Sequence, residues 1–185
     1  MTSPELEPVD TAERRHSAGT AAAGRMPVDL TAYDVILINS SGGKDSQTLL
    51  HHIATQAHQQ AVADRVTVLH CALWHVEWPD TAELAQSQAE YYGLRYEQRR
   101  RDQGPLLDQV RRRGKWPSAA ARYCTSDQKR GPARKLITQL VTELGPLGRP
   151  AQVLNCLGLR AVSPVQPAPA GAATVQSVGK EPRCA

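Results

Sequence analysis

The stretch "VILINSSGGKDSQTLL", residues 35–50, decides how the rest of the chain is read. An apolar run, Val35 to Ile38, gives way to small residues, Ser40 to Gly43, then to Lys44, Asp45 and Ser46, and an apolar-periodic segment begins at Leu49. A strand that hands over to a helix through small residues places main-chain N–H groups, with the positive end of the helix dipole, at the carboxyl edge of a parallel sheet. That arrangement binds anions. Gly42 and Gly43 let the main chain turn tightly and approach a phosphate, Lys44 adds a charge, and Ser41 and Ser46 add hydroxyl donors. It is not a Walker A loop, which needs glycine at position 38 and Ser or Thr after the lysine, where Ile38 and Asp45 stand.

Outward from this stretch the chain alternates strand and helix patterns. "DVILIN" is followed by "SQTLLHHIATQAHQQ", "VTVLHCAL", "DTAELAQSQAEYYG", "LRYEQR", "PLLDQVRRRG", "PARKLITQLVTELG" and "AQVLNCLGL". The alternation predicts an α/β fold, a parallel sheet covered by helices. In the first helix Leu49, Leu50, Ile53, Ala54 and Ala57 form one apolar stripe, leaving Gln47, His51, Gln56 and Gln60 outside it. Asp80 with Glu83 three residues on reads as a capping box preceded by Pro79, while Pro132 suits a helix start and Gly145 a helix exit.

Composition sets the bounds. The chain has 185 residues, 41% of them hydrophobic, enough for one core of ordinary size. The balance of 22 Lys and Arg against 18 Asp and Glu gives +4, which favours phosphate-bearing ligands. Cys71, Cys124, Cys156 and Cys184 lie far apart without a CxxC pair, so reduced thiols are expected rather than a zinc site or a disulfide framework. No segment has the pattern of a signal peptide or a membrane span, and a soluble cytoplasmic protein is expected. Residues 1–31 hold few aliphatic side chains and read as a disordered arm, residues 32–160 as one domain, and residues 161–185, rich in Pro and Ala, as a disordered tail.

"SGGKDS", Ser41 to Ser46, resembles the pyrophosphate-loop (PP-loop) motif SGGxDS of the adenine-nucleotide α-hydrolase superfamily. "RYCTSDQKRGPARK", residues 122–135, is similar to the Arg-x-Cys-Thr segment with a following basic pair and proline in phosphoadenylyl sulfate (PAPS) reductases. "EWPDT", residues 77–81, resembles their Pro-acid-Thr element, and "LGLR", residues 157–160, their Gly-x-Arg. The four motifs, in family order, resemble the PAPS reductase family. The resemblance implies a Rossmann-like three-layer α/β/α fold and an adenine-nucleotide ligand, ATP or PAPS. It implies that Ser41, Gly42, Gly43, Lys44, Asp45, Ser46, Lys129, Arg130 and Arg160 bind this ligand. Cys124 and Asp45 become the catalytic candidates, with Asp45 a Mg²⁺ ligand where ATP is the substrate.

The match to the family is not complete. The Asp-Thr-Gly usual before Pro-acid-Thr is replaced by Ala72, Leu73, Trp74 and His75. The cysteines of iron-sulfur members are missing, so a cluster is not expected, and "EPRCA" with Cys184 lacks the Gly and His of the C-terminal Glu-Cys-Gly-x-His. After Arg160 the family pattern stops at "AVSPVQPAPAGAATV", which suggests a truncated domain and a tail read out of frame. Three functions stay open. They are a PAPS reductase served by a thioredoxin-like reductant, an ATP pyrophosphatase or adenylating sulfurtransferase of nucleic-acid modification, and a non-catalytic nucleotide-binding module of a nucleic-acid-modifying complex. Adjacent His70 and Cys71 point to opposite faces of a strand and cannot share a metal. Cys124, read as part of a polar loop, lies near Lys129 and Arg130, a setting that activates a thiol. Arg99 to Arg101 and Arg111 to Arg113 could follow a nucleic-acid backbone, but no aromatics interleave them in sequence.

Overall fold

Strand β1 (Val35–Ser40) lies at the centre of the sheet, hydrogen-bonded on one side to β2 (Val66–Cys71) and on the other to β4 (Val153–Leu157). A computed structural model describes residues 28–158 and Gln176–Ser177. With β3 (Arg95–Arg99) beyond β2, four parallel strands run in the order β3-β2-β1-β4. In register, Ile36 faces Val66 on one neighbour and Leu154 on the other. The apolar run of β1 is explained by this central place, because both of its faces are covered.

Alternate residues of β1 feed two cores. Ile36 and Ile38 pack with Leu50, Ile53, Ala54 and Ala57 of α1 (Lys44–Gln59) and with Ala89 of α2 (Thr81–Tyr91). Val35 and Leu37 pack on the other face with Ala133, Leu136 and Leu140 of α5 (Gly131–Glu143). These layers make a three-layer α/β/α, Rossmann-like fold. Each fully buried Ile or Leu contributes about 1.5–3 kcal/mol of transfer free energy. Helix α3 (Leu106–Arg113), a three-residue turn α4 (Tyr123–Thr125) and a π-helical turn (Ser126–Arg130) connect β3 to α5. Among the described residues no helix is long and apolar enough to cross a membrane.

Five details differ from the sequence reading. Asp80 sits at φ +64° and its side chain makes no capping hydrogen bond, so the capping box with Glu83 does not form; Thr81 Oγ1 instead donates to the Trp78 carbonyl at 2.8 Å. Gln56 is buried rather than surface-facing, held by His52 at 2.6 Å. Leu30, grouped by composition with the arm, is fully buried in the α1 core, and Gln60 fastens it by accepting its N–H at 2.7 Å while donating to the Val28 carbonyl. Cys124 lies in helical rather than loop backbone, because Tyr123 and Gln128 are buried and fix the chain on either side of it. Gln176–Ser177, inside the stretch read as a tail, form a short strand β5 antiparallel to β4, pairing with Asn155 and Leu154. Cys184, Arg160 and the remainder of the tail lie outside the described residues, as do residues 1–27 of the arm.

Candidate functional site

The strand order reverses between β1 and β4, since the chain leaves β1 toward β2 and β3 and returns to β4 on the far side. In open α/β sheets the crevice at the carboxyl ends of two such strands is where ligands bind. Residues 41–46 leave β1 at that point, and Gly158 leaves β4 there. A Cβ on Gly158 would stand 2.9 Å from the Asp45 carbonyl oxygen and 3.2 Å from the Ser46 nitrogen. The glycine of "LGLR" is therefore needed so that β4 can pass against the first turn of α1.

Hydrogen bonds inside the loop fix its shape. Ser46 is buried, and its hydroxyl donates to the Gly43 carbonyl at 2.8 Å while accepting the Ser41 N–H at 3.2 Å. Ser46 is thus a staple of the loop, not an outward-facing ligand group. Gly42 adopts φ +71°, and its N–H meets Ser40 Oγ at 3.2 Å. A side chain at Gly42 would press on Thr81, with 3.2 Å to its carbonyl oxygen, so the "PDT" element abuts the loop. Gly43 caps α1 with extended backbone and no side-chain hydrogen bond. The first-turn N–H groups of a helix have no acceptors within it, and an anion is the natural partner for them. Ser41, Lys44 and Asp45 are exposed around this turn.

Behind the loop lies a contact that the sequence did not announce. His70, 1% exposed, brings Nδ1 to 3.1 Å from the Ser40 carbonyl, which can only accept, so Nδ1 carries the proton. Nε2 then faces Glu77 Oε2 at 3.4 Å, and Glu77 also accepts the Leu73 N–H at 3.0 Å. The Nδ1 bond ties β2 to β1 beneath the Ser41 to Ser46 loop, Glu77 braces the 73–78 loop through the Leu73 N–H, and His70 Nε2 has no hydrogen-bond partner among the described residues. The signal for it was a polar residue at a buried strand position followed by "EWPDT".

The second motif also reaches the carboxyl edge. The Lys129 carbonyl lies 3.6 Å from Cys71 Sγ at the end of β2, which puts the basic pair Lys129 and Arg130, both exposed, on the α5 side of that edge. The π-helical turn that carries them is a rare geometry, frequent at functional sites. Gln128, 1% exposed, bonds Gln109 at 2.9 Å and thereby locks the turn to α3. Cys124 is half-buried with Thr125 Oγ1 at 3.9 Å. The other two described thiols are poor nucleophiles: burial pushes Cys71 up to about 11, partly opposed by Lys129, and burial pushes Cys156 up to about 12. His70 and Cys71 fall on opposite faces, His70 toward the α1 side and Cys71 against the α5 core. Among the described residues no group of three metal-ligating side chains exists. Nucleotide-bound Mg²⁺ needs only one or two carboxylates besides phosphate oxygens, a requirement that exposed Asp45 fits.

No protein-family model matches this chain, and no curated protein matches it either.

Proposed function

We propose that this chain binds an adenine nucleotide, PAPS or ATP, through the phosphate loop Ser41 to Ser46, and that it is a PP-loop protein of the PAPS reductase kind. The observation that carries the reading is the position of a stapled glycine loop, with Lys44 exposed beside a helix start, at the reversal point of a parallel sheet. Phosphate oxygens would take the first-turn N–H groups of α1, and Lys44 would neutralise their charge. Lys129, Arg130 and Arg160 would bind the more distant phosphate or sulfate.

With PAPS, a thiolate attacks the sulfur, the S–O bond to the nucleotide breaks, and adenosine bisphosphate leaves; Cys124 is the candidate thiol, and a dithiol reductant then releases sulfite. With ATP, a substrate oxygen attacks the α-phosphorus and pyrophosphate leaves, with Lys44 stabilising its charge. Bound Mg²⁺ would supply further neutralisation of the phosphates there. Incubation with PAPS plus thioredoxin, and separately with ATP, Mg²⁺ and nucleic acid, distinguishes the two. Sulfite identifies the reductase, and AMP with pyrophosphate identifies the adenylating enzyme. Binding without either product leaves the nucleotide-binding module.

A further inference from the structure

The arginine runs of residues 99–101 and 111–113 lack aromatic neighbours in sequence, but the fold supplies them in space. The Arg100 guanidinium lies over the Trp74 ring, 4.7 Å from its centroid, and Trp74 is 47% exposed. Arg101 and Arg112 both donate to one acceptor, the Gln103 carbonyl, each at 3.0 Å. Arg113 stacks on Tyr123 at 4.4 Å, and the Tyr123 hydroxyl donates to the Lys115 carbonyl at 2.5 Å, next in sequence to exposed Trp116. Between Trp74 and Arg101 a cleft of about 230 Å³ opens, lined also by Arg100, Gln128 and Asp102, whose carboxylate is held by Lys135.

Two guanidinium groups sharing one carbonyl repel each other, and an anion between them would relieve the repulsion. The nearby carboxylates are committed elsewhere. Asp102 pairs with Lys135, Asp108 with Arg111, and Asp127 takes hydrogen bonds from Ser126 and Gln109, with Arg113 at 3.8 Å and Arg101 within electrostatic reach but not in an ion pair. Among the described residues, Arg100, Arg101 and Arg112 form no ion pair, so the track keeps its positive charge. Trp74 also pays for its exposure in backbone strain, since Trp74 and His75 sit at φ +42° and +28°, where L side chains are disfavoured. A half-exposed indole beside arginines that form no ion pair suits a ligand that is both planar and anionic.

We infer that the face running from Trp74 through Arg100, Arg101 and Arg112 to Trp116 binds single-stranded nucleic acid. The arginines take successive phosphates, and unpaired bases stack on the exposed indoles, faces that a duplex would keep hidden. The surface lies at the ends of β2 and β3 and on α3, and Gln128 brings it next to the Lys129–Arg130 turn; its role rests on its own residues, not on the nucleotide reading.

Fluorescence anisotropy of the full chain with a labelled 12-nucleotide single strand, without added nucleotide, tests the inference. Three phosphates neutralised at about 0.7 each predict a slope of log affinity on log salt of about −2. Arg101→Ala with Arg112→Ala should bring that slope to about −0.7. Trp74→Ala should weaken binding about tenfold at every salt concentration and leave the slope unchanged, the mark of a stacking contact. Tyr91→Ala, an exposed aromatic on α2, should have no effect, and each variant should melt with the wild type. No binding at 50 mM salt overturns the inference. So does equal affinity for a duplex of the same length or for heparin, or a Trp74→Ala variant that binds as the wild type does.

Discussion

Replacing Gly158 by alanine adds one methyl group, and its surroundings give it no room. The new carbon would lie 3.0 Å from the Asp45 carbonyl carbon and 2.9 Å from its oxygen. The first distance is about 0.5 Å inside the ~3.5 Å carbon–carbon optimum. Both neighbours are backbone atoms of the first turn of α1, so no side chain can rotate away. Either β4 or the helix start must shift by a few tenths of an ångström. Overpacking of this kind costs ~1–3 kcal/mol, which at ~3–5 °C per kcal/mol for a domain of this size lowers Tm by about 3–15 °C. Because the atoms that move bear the first-turn N–H groups, nucleotide affinity should fall with stability. Gly131→Ala is the matched comparison: it sits in helical backbone, the nearest atom to its Cβ is the Ser126 carbonyl oxygen at 3.7 Å, and it should be neutral or stabilising by ~0.4–1 kcal/mol. Thermal melting and titration calorimetry of both variants measure the two effects. A Gly158→Ala protein with the Tm and affinity of the wild type would refute the close packing of β4 against the loop.

Leu30→Ala should cost ~2–5 kcal/mol by denaturant unfolding, because a fully buried side chain leaves a cavity against α1. Iodoacetamide at pH 7, followed by peptide mass analysis, should label Cys124 before Cys71 and Cys156, whose thiols burial holds protonated. Asp34 accepts two hydrogen bonds from Arg149, at 2.6 and 2.8 Å, and one from the Gln152 N–H; the Arg149 bond, more than the backbone one, holds its carboxyl down at about 2 from an ordinary 3.8. Its contribution is therefore complete above the ordinary value and fades as pH falls toward 2. Asp34→Asn should lose about 1 kcal/mol at pH 7, a figure kept small by the half-exposed Arg149, and the difference from wild type should shrink as pH falls from about 4 through 2 and vanish only below it.

The strands and main helices were legible because their signals are local and repeated. The four apolar residues Val35 to Ile38, just ahead of "NSSGGKDS", read as a strand and the stripe from Leu49 to Ala57 as a helix face, and both form. What escaped the sequence depends on distant partners. Leu30 looks like arm until Gln60 and the end of α1 are brought to it. Ser46 looks like a ligand donor until the loop closes and turns its hydroxyl inward onto the Gly43 carbonyl. Asp80 looks like a cap until the Pro79 turn sends it into left-handed backbone. His70 and Glu77 are seven residues apart and meet only because the chain doubles back after β2. The same holds for the arginine track, whose aromatic partner Trp74 is contributed by another loop.

Whether the Ser41 to Ser46 loop holds nucleotide phosphates is decided by titration calorimetry with ATP and with PAPS, on the full chain and on Lys44→Ala. Saturable binding of at least one nucleotide is expected, weakened by ~1.5–3 kcal/mol in Lys44→Ala with Tm unchanged, the scale of a hydrogen bond to a charged group. Equal affinity in wild type and variant, or no binding of either nucleotide, would contradict it.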